Sequence, residues 1–130
     1  EATLWPGGRY VTTHLIVRTE FLQAHRPTVE ALLRGQVEAN RFVNDHPAEA
    51  QRLANQGIGK LTGKQLDPEV VAAAWRHLTF TNDPVASSLR TSAANAKALG
   101  FLETDDLDGI YELGPLNRVL AGQGEGQVPV

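Results

Sequence analysis

The longest run of strand-forming residues lies near the start of the chain, at residues 10–17 (YVTTHLIV). This run is rich in β-branched and aromatic types, contains no glycine or proline, and closes on the apolar residues 15–17. Such a composition is typical of a buried strand. It follows residues 5–8 (WPGG), whose proline and two glycines predict a turn. We therefore expect a turn and then a strand over residues 10–17.

After residue 18 the apolar residues recur at helical spacing, and prolines stand where the first turn of a helix would accept them. Gln36 and Asn40 interrupt one apolar helix face, and we expect them to lie at its rim or to bond to neighbouring backbone rather than to a ligand. The Gly-rich tail, residues 122–130, is expected to fray. Helices are predicted over residues 19–25, 27–45, 47 to 57 or 59, 68–77, 84–100 and 115–120, with a loop over residues 59–64.

Composition limits the class of protein. The chain has 130 residues, of which 42% are hydrophobic and 21% charged, and this is enough for one globular domain with its own core. Its net charge is -3 and its 12 basic residues are scattered, so no surface suited to nucleic acid is expected. The absence of cysteine excludes thiol catalysis, iron–sulfur clusters and disulfides.

Neither a metal site nor a catalytic motif is evident. The four histidines lie 11, 21 and 31 residues apart, so no two of them share a helix turn as metal-binding pairs do. The acidic residues 104–108 lack the ligand spacing of a calcium loop and are expected to form a solvated turn. No nucleophile motif appears. We therefore expect no enzymatic activity, no metal and no cofactor.

His14 lies where the predicted strand changes from polar to apolar residues. Three polar residues in sequence, Thr12, Thr13 and His14, precede the apolar residues 15–17. Two interpretations remain open: a strand that emerges from a core into a ligand cleft, and a half-exposed strand end without a ligand.

Several short strings follow one another in order along the chain. They are LWPGGRYVTTHLIVRTEFL at 4–22, LLR at 32–34, NDHPAEA at 44–50, LTGK at 61–64, LTFTNDP at 78–84 and ALGFL at 98–102. Together they resemble the C-terminal part of the solute-binding proteins of ABC importers, and most of all the aliphatic sulfonate, nitrate and taurine group. The resemblance covers nearly the whole chain, although no single string is specific.

The resemblance implies an α/β parent protein with the two lobes of a type II periplasmic-binding protein. Residues 1–130 would be a single C-terminal fragment of that parent, with residues 10–17 as a strand crossing between the lobes. The fragment itself is expected to be mostly α-helical with one or two strands. Because helices with one apolar face need a covering layer, we expect the fragment to form a homodimer.

In function, the resemblance implies an extracytoplasmic component that binds a small sulfonate-like organic anion, closes its lobes and docks on the membrane permease. Thr12, Thr13 and His14 would donate hydrogen bonds to the anion, and Trp5 would pack on its apolar tail. The parent would be periplasmic, or extracellular and membrane-associated, either as a lipoprotein or as a free protein. The alternative is a free-standing helical domain that binds a partner protein through the Ala- and Ser-rich helix over residues 84–100.

Overall fold

The structure, a computed structural model, describes residues 2–129 as an all-helical chain. Glu1 and Val130, which belong to the predicted fragment and its tail, lie outside the described residues. None of the described helices is both long and apolar enough to cross a membrane. The helices are α1 (Thr19–Ala24), α2 (Arg26–Asp45), α3 (Pro47–Thr62), α4 (Pro68–Trp75), α5 (Ala86–Ala98) and α6 (Gly114–Gly122), preceded by short 3-10 turns at Ala2–Leu4 and Pro6–Gly8.

The predicted strand over residues 10–17 is wrong, and with it the α/β class. Residues 2–129 contain no strand, so no second backbone is available to pair with this segment. A strand without a neighbour leaves its main-chain groups to water or to side chains, and is not stable as a strand. Leu15, Ile16 and Val17 are accordingly 53%, 86% and 43% exposed, although their composition predicted burial.

The helices predicted from proline and capping signals are confirmed, with shifted ends. Asp67 caps α4, since its Oδ1 accepts from the backbone N–H of Glu69 at 2.8 Å. The predicted loop over residues 59–64 is largely wrong, because α3 continues through both of its internal glycines to Thr62. It ends at Gly63, whose φ of 81° is the left-handed conformation that glycine adopts without steric cost.

The chain divides into two units, the first formed by residues 2–33 and 83–129. Helix α6 contributes much of the core of this unit, because Leu116, Val119 and Leu120 recur at helical spacing and are all buried. The tail expected to fray is bonded to α6: Asn117 Nδ2 donates to the carbonyl of Val128 at 3.0 Å, and its Oδ1 accepts from the same residue's N–H at 2.8 Å.

The second unit, residues 34–82, packs α3 against α4. Asn55 in α3 is 6% exposed and holds the segment between these helices through a pair of bonds. Its Nδ2 donates to the carbonyl of Leu66 and its Oδ1 accepts from the N–H of Leu66, both at 2.8 Å. Asn40 donates to the carbonyl of Thr81 at 3.2 Å, which confirms the structural role predicted for it.

The paired bonds of Asn55 predict a measurable stabilisation. Replacing Asn55 by Ala leaves both main-chain groups of Leu66 without their partners and opens a small cavity, so the free energy of unfolding should fall by about 1–3 kcal/mol. Chemical denaturation followed by circular dichroism measures the change.

Asn95→Ala is the matched control, because Asn95 is an exposed residue of α5 with no side-chain bond in the described part of the chain. It should leave stability unchanged or slightly increased, since Ala is the better helix former. Equal stability of the two variants would contradict the role given to Asn55.

Candidate functional site

The segment over residues 5–17 contains the four predicted site residues. It lies along the start of α5, within the first unit. Three contacts join this segment to residues at least seventy positions away, so tertiary structure helps to hold it. The contacts are Arg9 Nη2 to Asp83 Oδ2 at 3.4 Å, Val11 N–H to Ser88 Oγ at 3.3 Å, and His14 Nε2 to the carbonyl of Pro84 at 3.1 Å.

His14 has a defined hydrogen-bonding role in this arrangement. A carbonyl oxygen can only accept, so the imidazole donates to Pro84 from a protonated Nε2. The imidazole ring also lies against Tyr111, with 6.1 Å between ring centroids and 57° between ring planes. His14 therefore links the start of α5 to the loop that precedes α6.

The backbone is strained at this point. Val85, directly before α5, has a φ of 48° and a ψ of 58°, a left-handed conformation that a β-branched residue rarely adopts. Such a conformation costs roughly 1–3 kcal/mol and persists only where the surroundings impose it. Here Asp83 Oδ1 accepts from the N–H of Val85 at 2.8 Å, while His14 holds the preceding carbonyl. Strain of this kind is concentrated at functional sites.

A pocket of about 270 Å³ lies beside the contact between His14 and Tyr111. Arg90 of α5, Tyr111 and residues 105–109 line it. Arg90 forms no ion pair within residues 2–129, and the Tyr111 hydroxyl is closed off from solvent without a hydrogen-bond partner among them. A guanidinium and a phenol that both lack an acceptor are suited to an anionic group.

The Tyr111 hydroxyl lies beneath the pocket surface, and this limits how a ligand can reach it. Burial raises the pKa of Tyr111 above its ordinary value; the positive charge of Arg90 opposes that rise, and the negative charge of Asp83 adds to it. The phenol is therefore a neutral donor at physiological pH. A ligand oxygen can accept from it only after the groups that cover the hydroxyl move aside.

Three aspartates, Asp105, Asp106 and Asp108, also line the pocket. Lys97 Nζ donates to Asp105 at 2.6 Å, and this bond is the main reason that the pKa of Asp105 is lowered, with its own backbone hydrogen bond second. Asp106 Oδ1 accepts from the N–H of Asp108 at 2.9 Å, which shapes the loop. Within residues 2–129, no three His, Asp or Glu side chains are grouped as metal ligands.

Of the four predicted site residues, His14 makes a ring contact with Tyr111, which lines this pocket. Thr12 and Thr13 are exposed. Trp5 stacks on Tyr10, with 5.0 Å between centroids and 18° between planes, and its Nε1 is buried without an acceptor in the described part of the chain. Within residues 2–129, no hydrogen bond or ring contact joins Trp5 to His14 or the two threonines.

Comparison of the chain with protein-family models, with curated proteins and with solved structures finds no match. The resemblance of the sequence strings and the geometry of the pocket are therefore the grounds for a functional proposal.

Sequence reasoning missed Arg90 and Tyr111. Arg90 is the one charged residue between positions 85 and 96, in a stretch otherwise made of small, polar and aliphatic residues. Tyr111 is the one aromatic residue between positions 102 and 130. Each was a visible exception in its segment, but nothing in the sequence indicates that the two lie at one pocket.

The electrostatic surroundings of Tyr111 can be tested by titration. Arg90→Gln removes the positive charge and should raise the pKa of Tyr111 further, whereas Asp83→Asn removes a negative charge and should lower it. The difference in absorbance at the phenolate band between each protein and its own Tyr111→Phe derivative isolates this residue.

The sign of the accompanying stability change follows from the raised pKa. The stabilisation from neutral Tyr111 is complete below the unfolded-state pKa of about 10 and is lost as the pH rises through the higher pKa of the folded state. If Arg90→Gln and Asp83→Asn shifted the pKa of Tyr111 in the same direction, the arrangement of charges around the phenol would be contradicted.

Proposed function

We propose that the chain is the C-terminal, ligand-binding part of a solute-binding protein that delivers a small sulfonate-like anion to the membrane permease of an ABC importer, without catalysis. The observation that carries the proposal is the pair of donors at one pocket, since Arg90 lacks an ion pair and the Tyr111 hydroxyl lacks an acceptor within the described residues. The ordered series of sequence strings supports the same family.

The chemistry of the donors suits a singly charged oxyanion. Arg90 presents a charged, planar set of N–H groups, and a sulfonate offers three oxygens that can accept from it and from the phenol together. The raised pKa of Tyr111 keeps the phenol protonated, so it can donate. Hydrogen bonds to a charged partner contribute about 1.5–3 kcal/mol each, enough for weak but selective binding.

His14 takes a positioning role in this proposal. Its Nε2–H is engaged by Pro84, so it does not donate from that nitrogen to the ligand. Its ring packs against Tyr111 and restricts the orientation of the phenol. The exposed hydroxyls of Thr12 and Thr13 remain candidates for further contacts, as does Trp5 through its indole.

The exposed apolar residues support the view that other polypeptide covers part of this chain. Leu15, Ile16 and Val17 form a continuous apolar run that remains uncovered, and Leu99 and Phe101 are 71% and 79% exposed. Isolated exposed apolar residues are common, but runs of them mark contact surfaces. In the isolated chain we expect a second copy to cover them, giving a homodimer. The site of action would be extracytoplasmic, where importers collect their solutes.

Titration of the isotope-labelled chain with ethanesulfonate, followed by NMR, tests the binding part of this proposal. We expect shifts centred on Arg90, Tyr111 and residues 105–109, with affinity weaker than millimolar because few groups contact the ligand. Tyr111→Phe should weaken binding by about tenfold, the effect of losing one hydrogen bond to a charged group.

Tyr10→Phe is the matched control, since Tyr10 lies in the stack with Trp5 and does not line the pocket. It should bind as the unaltered chain does. A titration with chloride at equal ionic strength corrects for screening. Equal affinities of the Tyr10 and Tyr111 variants, or shifts confined to other parts of the chain, would count against the proposed site.

A further inference from the structure

The chain contains one helix-start sequence twice, and the two copies adopt different conformations. Asp67-Pro68 precedes the body of α4, and Asp83-Pro84 precedes α5. In both copies the aspartate Oδ1 accepts from the backbone N–H two residues further on, at 2.8 Å. Helix α4 begins at its proline, whereas α5 begins only at Ala86, because Val85 adopts the left-handed conformation. The local sequence therefore favours a longer α5 than the one that forms.

The carbonyl of Pro84 shows what replaces the longer helix. If α5 began at Pro84, this carbonyl would accept from the N–H of Ser88, four residues further on. In the structure the N–H of Ser88 donates to the carbonyl of Val85 instead, at 2.9 Å. The Pro84 carbonyl accepts from His14 Nε2, at 3.1 Å. His14 has thus taken the place of the donor that the longer helix would supply.

Two further contacts join the segment around His14 to the start of α5. Arg9 Nη2 lies 3.4 Å from Asp83 Oδ2, and the N–H of Val11 donates to Ser88 Oγ at 3.3 Å. We propose that residues 9–14 form a strap that holds α5 in a short state, and that release of the strap relieves the strain at Val85 and lengthens α5 to begin at residue 84. This conformational device goes beyond the proposed anion binding and does not depend on it.

The two states exchange one set of favourable interactions for another. The short state keeps the strap contacts, but it holds a β-branched residue, Val85, at a φ of 48°, where its Cβ crowds the backbone. The long state removes this strain and places Pro84 in the first turn, the helical position that proline prefers. Strain persists only where surrounding contacts impose it, and the strap supplies such contacts.

The strap also connects the start of α5 to the pocket. The imidazole of His14 that donates to Pro84 lies against the ring of Tyr111, with 6.1 Å between ring centroids. A change that moves the Tyr111 ring therefore alters the packing of the group that holds the short state. By linkage, a change in the length of α5 must in turn alter the surroundings of Tyr111.

NMR of the isotope-labelled chain distinguishes the two states, because Cα chemical shifts report whether residues 84 and 85 have helical backbone. His14→Ala removes the donor to Pro84, and we expect the Cα shifts of residues 84 and 85 to move to helical values. His46→Ala is the matched control, since His46 also packs on an aromatic ring, that of Phe42, but belongs to the other unit. It should leave both shifts unchanged.

A second variant tests whether strain at Val85 drives the change. Glycine adopts the left-handed conformation without steric cost and is a poor helix former. In a Val85→Gly background, His14→Ala should therefore leave residue 84 non-helical. If the double variant became as helical at residue 84 as His14→Ala alone, the inference would be overturned.

Arg9→Gln tests the strap with less risk to folding, because the Arg9 side chain is 51% exposed. It should move the Cα shifts of residues 84 and 85 part of the way towards helical values. Non-helical shifts at both residues in folded His14→Ala would show that the strap does not hold Val85. Should His14→Ala fail to fold, unchanged shifts in Arg9→Gln would overturn the inference in the same way.

Discussion

The Tyr111 hydroxyl, closed off from water and without an acceptor among the described residues, is the constraint around which the candidate site is organised. An unsatisfied buried donor costs about 1–3 kcal/mol, and a ligand oxygen that accepts from it would recover this cost. The ring is held by His14, and His14 is held by the carbonyl before the strained residue Val85. The orientation of one phenol thus depends on contacts between residues far apart in the sequence.

Asparagine side chains hold the irregular segments of this helical chain in place. Asn55 and Asn117 each bond to both main-chain groups of a residue eleven positions further on, at Leu66 and Val128. A side-chain amide has the same donor and acceptor as a peptide group, so it can pair with an extended segment as a neighbouring strand would. In residues 2–129, where no strand is present, such pairs satisfy main-chain groups that a sheet would otherwise satisfy.

The features that the sequence predicted well are those that depend on local chemistry. Proline in the first turn and Asp67 as a cap predict where α4 begins, because the groups involved are neighbours along the chain. The strand over residues 10–17 could not be judged in this way, since a strand exists only if another backbone pairs with it. The end of α3 was misplaced because two glycines were taken as breakers, whereas a helix tolerates glycine at a cost of about 1 kcal/mol each.

The candidate site shows the same contrast between features set by neighbouring residues and features set by distant contacts. His14 was found because the change from polar to apolar residues is visible in the local sequence. Arg90 and Tyr111 were missed because 21 positions separate them, and the acidic loop between them suggested only a solvated turn. Which side chains share a pocket is decided by packing, and no spacing rule reports that for residues on different elements.

A crystal structure of the chain grown with a small sulfonate would test the central claim most directly. The account predicts the sulfonate group between Arg90 and Tyr111, with one of its oxygens accepting from the phenol and the groups that cover the phenol displaced. A structure in which a protein group accepts from the Tyr111 hydroxyl, and in which the sulfonate binds elsewhere or not at all, would contradict it.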